Sequence, residues 1–229
     1  MKNYSHIGFD INSEKDEKDF FHKIYTNNNY PIQKWNIETP EHKNLVLSMQ
    51  NLGEILYFTK LENNTLLDTA IIYNNENINK LNVVSVYTSK DNNFPLLELG
   101  IDGYAKTFWF ECANADIFNI QNKETCDVKI SCLPYSISIK KQSDSNTNEY
   151  FFPDTWDEAY NPCKAMLQGI IQGYTIKKNI VTEKDYYCID VECLGLHIKV
   201  VADISMLTES NLAKGNIICG KVWCNAIIL

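Results

Sequence analysis

The sequence has no stretch of the roughly 18 apolar residues that a membrane-spanning helix needs. Its start, Met1-Lys-Asn-Tyr-Ser-His6, lacks the apolar core of a secretory leader. The expected location is therefore the cytoplasm, away from any membrane. A basic stripe is missing as well. With 21 Lys and Arg against 29 Asp and Glu the net charge is -8, and no block of cations is placed to neutralise phosphates. Nucleic acid is an unfavoured partner, and a protein, basic by complementarity, is the expected one.

Metal spacing is absent too. Cys126 and Cys132 are six apart, while Cys188 and Cys193, like Cys219 and Cys224, are five apart, and none shows the two-residue gap of a zinc knuckle. A five-residue offset in a strand sends two sulfurs to opposite faces. The eight cysteines are read as free thiols, and no metal or cofactor is expected. The chain shows no repeat at a fixed period and no low-complexity tract, and the oligomeric state is not legible.

What is present is a run of strand and turn signals. Residues 165–229 carry the fullest set. A first strand holds Ile170, Ile171, Tyr174, Ile176 and Ile180, with Gly169 and Gly173 where it would bend. Residues 186–193 alternate Tyr187, Ile189, Val191 and Cys193 against Tyr186, Cys188, Asp190 and Glu192, and Gly195 turns the chain into 196–202. Ser205 or Thr208 is placed to cap a short helix before a closing strand over 217–229, apolar on both faces apart from Lys221 and Asn225. That order is similar to an oligonucleotide- or oligosaccharide-binding (OB) barrel, which has five strands where four are visible here.

Upstream, Ile7, Phe9 and Ile11 alternate as in a short strand. Asn12 and Ser13 offer capping groups, Glu14, Asp16 and Glu17 suit the positive end of a helix dipole, and Phe20, Phe21, Ile24 and Tyr25 form a helical stripe. Strands are expected over 45–50, 54–61, 66–73, 81–88, 96–99 and 104–113, and one or two more over 126–139, interrupted at Pro134. The fold class is mainly β (α+β). The expected units are an N-terminal antiparallel sheet with one packed helix (1–142), a connecting aromatic and proline segment (143–164), and a small OB-like β-barrel module (165–229).

Ser5-His-Ile-Gly-Phe9 with its acidic helix, Gly53-Glu-Ile-Leu-Tyr57, the aromatic strand over 104–114, and His197-Ile-Lys-Val-Val-Ala-Asp203 before Gly220-Lys-Val-Trp223 together resemble a family of bacterial proteins of unknown function. In that family the last strand carries Gly-x-x-Trp. Here Cys224-Asn-Ala226 replaces the Leu-Ser-Gly-like ending. The resemblance implies the fold but brings no activity.

Several residues are candidates for a site. Asp154, Asp157 and Glu158 cluster beside Trp156, as in a glycosidase pair or sugar platform, although an acidic loop explains them as well. Tyr186, His197 and Trp223, with Trp156, are the candidate binding residues. His197 faces Asp190 or Glu192 across a hairpin, and the aromatics are core or seam residues unless exposed. His6 with Asp10 is a weaker metal pair, and Cys163 a nucleophile only with a base beside it. The function expected is non-catalytic binding of a protein partner, as by an acidic immunity-type or accessory protein. The alternatives are a carbohydrate-active or hydrolytic enzyme using the acidic cluster, and single-stranded nucleic-acid binding by the barrel, with Lys177, Lys178, Lys184, Lys199, Lys214 and Lys221 converging.

Overall fold

The computed structural model describes residues 4–9, 11, 13–27, 29–37, 44–88, 94–101, 103, 106–118, 120, 124–141, 148–154 and 161–229. Among these there is one α-helix, α1 (Glu14–Tyr25). It begins where its capping chemistry places it: Ser13 is extended and its hydroxyl accepts the Asp16 N–H at 3.1 Å, satisfying one of the first-turn donors. Thr26 closes the far end, donating from both N and Oγ1 to the His22 carbonyl. Phe21 and Ile24 are buried beneath it.

The described residues of 5–11 do not form a strand. Tyr4–Ile7 is a 3-10 turn, and Gly8 then adopts φ 79°. The alternation of Ile7, Phe9 and Ile11 is real, but all three side chains sink into the core under α1 with Tyr57, Tyr186 and Val201. Burial, not strand pairing, produces the pattern.

The first sheet is an antiparallel meander of β1 (Ile32–Ile37), β2 (Leu45–Leu52), β3 (Ile55–Glu62) and β4 (Thr65–Tyr73). Asn63 and Asn64, at φ 50° and 65°, make the two-residue β3–β4 turn, a geometry that asparagine tolerates. β1 has no apolar alternation to announce it. It exists through its ladder to β2, from Ile32 opposite Gln50 to Ile37 opposite Leu45.

The second sheet holds nine strands among the described residues: β5 (Asn79–Tyr87), β6 (Leu96–Gly100), β7 (Thr107–Cys112), β8 (Thr125–Lys140), β9 (Tyr150–Pro153), β10 (Lys164–Lys178), β11 (Asp185–Cys193), β12 (Leu196–Asp203) and β13 (Ile217–Ile228). Its pairings close two rings that share β8 and β13. In the first ring the meander β5–β6–β7 joins β8 antiparallel through β5 and β13 parallel through β7. In the second, β10–β11–β12 joins β13 antiparallel through β10 and β8 parallel through β12. Each meander therefore closes its ring with its own long strand and with the other unit's.

The two units also match in register. Each first strand carries a bulge, between Val83 and Ser85 in one and between Ile171 and Gly173 in the other. One constant step along the chain relates Leu97 to Ile189, Leu99 to Val191, Gly103 to Gly195, Lys129 to Lys221 and Cys132 to Cys224. The identical residues are too few and too scattered, and strand pairs such as Leu97 with Ile189 keep only apolar character, so this two-unit plan leaves no repeat visible in the sequence.

Strand pairing also crosses 143–164. The fifth strand of the second ring is β8, from upstream, and β9 pairs with β10. Phe151 of β9 is buried and stacks on Phe108 at 4.9 Å. Of the one or two strands expected over 126–139 there is one, β8, and it runs through Pro134. That residue faces Val222, next to the register shift between Lys221 and Val222, where a missing N–H is tolerated. The short helix expected near 205 is a pair of 3-10 turns, Ile204–Met206 and Glu209–Asn211. Asp203 caps the first through the Ser205 N–H at 2.8 Å, and Thr208 precedes the second without a side-chain cap.

One continuous apolar core fills both rings, from Leu81, Phe108 and Phe110 to Ile189, Val200 and Val222. The first sheet and α1 cover the outer faces of β8, β11, β12 and β13.

Candidate functional site

An open cleft of about 300 Å³ lies between α1, the segment before it and the turn joining β10 to β11, lined by Phe9, Ile11, Asp16, Asp19, Phe20, Lys23 and Thr182. The helix supplies four of these at positions i, i+3, i+4 and i+7, which place Asp16, Asp19, Phe20 and Lys23 on one face. Phe9 meets Phe20 edge-on at 4.7 Å, and Phe20 meets Tyr57 edge-on at 5.3 Å. The floor is thus aromatic and the rim carries two carboxylates and one ammonium.

The opposite wall is held by Asn179, which is buried. Its Nδ2 donates to the Ile7 carbonyl at 2.7 Å, while its Oδ1 accepts from the N–H groups of Val181 at 2.9 Å and Thr182 at 3.3 Å. Gly8 is required beside it: a Cβ there would come to 3.1 Å of Lys184 Cβ and 3.3 Å of Thr182 Oγ1, at a φ that side chains rarely adopt. One side chain therefore anchors the turn to the segment that carries Phe9.

Below the floor lies a polar group of another kind. The Tyr57 hydroxyl is buried and makes no hydrogen bond among the described residues. Burial pushes its pKa up, and Tyr4, Glu17 and Asp68 add to the shift. The Tyr4 hydroxyl donates to the Thr69 carbonyl at 2.9 Å, and the Thr69 hydroxyl donates to Glu17.

Those residues singled out from sequence that are described sit in separate surroundings. Tyr186 is buried and packs edge-on against Tyr73 at 6.3 Å. Trp223 is half-buried on the outer face of β13 and donates its Nε1–H to Glu111 at 2.7 Å. His197 is exposed opposite Glu192, with its backbone N–H and C=O both held by the Asn79 side chain. Asp154 is buried and ion-paired with Lys221 at 2.9 Å. Trp156, Asp157, Glu158 and Asp10 lie outside the described residues.

Every basic residue of the chain other than histidine is a lysine, so no planar guanidinium fork is available for phosphate. Of the six lysines considered for a nucleic-acid groove, Lys177 pairs with Glu54 at 2.7 Å, Lys199 with Asp190 and Lys221 with Asp154. No group of three or more His, Cys, Asp or Glu suited to a metal occurs among the described residues, and no helix there is long and apolar enough to cross a membrane.

No protein-family model, curated protein or solved structure matches the chain. Geometry alone must carry the functional argument. Sequence reasoning assigned Asp16 to the helix dipole and Phe20 to the core stripe. That Thr182 faces them follows only from Asn179 reaching Ile7, a contact with no local signal.

Proposed function

We propose that the protein acts by binding and not by catalysis, as an acidic accessory or immunity-type protein whose cleft receives a lysine or arginine side chain of a basic protein partner. The observation that carries this reading is the cleft itself, with the half-buried Phe20, backed by the fully buried Phe9, as its floor and Asp16 and Asp19 on its rim. A cation over an aromatic ring gains about 0.5–2 kcal/mol, and nearby carboxylates add directional pairing. The net charge of -8 supports the same partner, because a negative surface steers a basic protein toward it.

The rival readings have less support. A hydrolytic or carbohydrate-active site would rely on the cluster of Asp154, Asp157 and Glu158, of which Asp154, the described member, has its carboxylate engaged by Lys221. Nucleic-acid binding would need free, converging lysines. We read the second ring as an OB-like barrel, supported by its five strands and its closure, and used here as a rigid frame for the cleft wall.

The test is titration of the isotope-labelled protein with the blocked amino acids N-acetyl-lysine methylamide and N-acetyl-arginine methylamide, followed by amide shifts. Saturable shifts at Asp16, Phe20 and Thr182, weakened by salt and absent in the Asp16→Asn, Asp19→Asn double variant, support the reading. Shifts that neither saturate nor localise overturn it.

A further inference from the structure

Cys132 and Cys224 face each other where the long strands of the two units of the second sheet meet. They lie directly opposite each other in the β8–β13 ladder, and each occupies in its own unit the position that the other occupies in its. Their sulfurs are 3.8 Å apart and both residues are fully buried.

The backbone shows which type of cross-strand pair this is. The Cys224 N–H is given to the Cys163 carbonyl at 2.9 Å, away from β8, so Cys132 and Cys224 do not exchange ladder hydrogen bonds. A non-hydrogen-bonded pair brings Cα atoms to about 4.5 Å and its side chains closest together. That separation falls at the near edge of the window in which a disulfide forms without moving the backbone. The remaining requirement is a small rotation about each Cα–Cβ bond.

We propose that Cys132 and Cys224 are a covalent modification site, closing to a cross-strand disulfide when the chain meets an oxidant of the peroxide class. One thiol, as thiolate, attacks a peroxide oxygen, giving a sulfenic acid and, for hydrogen peroxide, one water. The second sulfur then displaces the sulfenic hydroxyl, the Sγ–Sγ bond forms and a second water leaves. Two thiols are oxidised by two electrons and one peroxide is reduced. The bond locks together the two strands that both rings share, so its effect is felt in both barrels at once.

Burial makes the reaction slow in the folded chain, because the thiolate is the nucleophile and burial pushes the Cys224 thiol well up. It also makes the product specific, because the nearest competing sulfurs, Cys163 and Cys193, lie on other strands or loops.

The experiment treats the full chain with hydrogen peroxide, alkylates the remaining thiols under denaturing conditions and maps the peptides without reduction. The expected result is a chain about 2 Da lighter before alkylation, a linked peptide pair holding Cys132 and Cys224, and a raised thermal midpoint that returns with reductant. Cys132→Ser abolishes the link, whereas Cys126→Ser, which alters a half-buried thiol outside the pair, retains it. A link mapped to Cys132 with Cys193, or to Cys163 with Cys224, overturns the proposal, as does recovery of all eight thiols alkylated. The wild-type map decides the matter even if the serine variant fails to fold.

Discussion

Trp223 donates its indole N–H to the carboxylate of Glu111 across 2.7 Å, tying β13 to β7 on the face that the first sheet covers. Glu111 is buried, and its Cα lies opposite Asn225 in the parallel β7–β13 ladder. A hydrogen bond to a charged group contributes about 1.5–3 kcal/mol, and losing a donor to a buried carboxylate costs at the upper end of that range. Trp223→Phe, which keeps an aromatic ring but removes the N–H and some packing area, is expected to lower stability by about 2 kcal/mol in urea unfolding. Glu111→Gln, which removes the charge but keeps an amide oxygen able to accept the indole N–H, is expected to cost less. Losses that simply add in the double variant would mean that the indole contributes packing alone.

Asn179 makes three hydrogen bonds that hold the β10–β11 turn to Ile7. Asn179→Ala leaves the Ile7 carbonyl and two N–H groups without it, at a cost of about 1–3 kcal/mol. The larger effect is local. Amide exchange at Val181 and Thr182 should quicken, and binding of the lysine and arginine probes should fail while the rings remain folded. Unchanged probe binding in this variant would detach the turn from the cleft's function.

These two contacts mark where the sequence stops being informative. α1 was legible because its cap, dipole acids and apolar stripe are all local, and the β11–β12 hairpin because Gly195 follows an unbroken alternation. β1 was not, since Gln33, Lys34 and Asn36 alternate with nothing and only β2 makes them a strand. The exchange of β8 and β13 was hidden for a different reason. Closing each ring needs a strand from the other unit, and the matched strand positions retain hydrophobicity more than identity, as Leu97 with Ile189 and Leu99 with Val191 illustrate. The cleft combined both difficulties: its helix face was visible, but its far wall depends on a long-range side-chain bond.

Glu54 accepts from Lys177 Nζ at 2.7 Å and from the Tyr73 hydroxyl at 2.6 Å, linking the β2–β3 turn to β10. Burial acts to raise its pKa, but these two donors and the positive charges of Lys177 and Lys199 outweigh it, so the folded pKa lies below the ordinary glutamate value of 4.5. A depressed carboxylate contributes stability that is fully present above the unfolded pKa and is lost as pH falls through the folded one. Glu54→Gln should therefore flatten the stability profile below about pH 5 and leave its shape above that unchanged. The carboxylate is part-exposed, so the effect is modest and shrinks in high salt. Unfolding midpoints measured from pH 3 to pH 7, in both chains, test the sign.

Gly220 holds in β13 the place that Val128 holds in β8, yet no side chain fits there. A Cβ on Gly220 would come to 2.0 Å of the Ser136 carbonyl oxygen and 2.8 Å of Ile137 Cα, both backbone atoms of the partner strand. Gly220→Ala must push β8 and β13 apart, at an expected cost of about 3 kcal/mol or more, the upper end of overpacking penalties. Because the two rings share this strand pair, the damage should reach both meanders. Amide exchange in β5–β7 and in β10–β12 is expected to quicken together, although Gly220 is laddered to Leu167 of β10, whereas β13 meets β7 further along at Asn225 and Ala226. If β10–β12 alone loses protection, the rings are separate cooperative units that happen to touch. If both lose it, β8 and β13 are the common spine that makes them one.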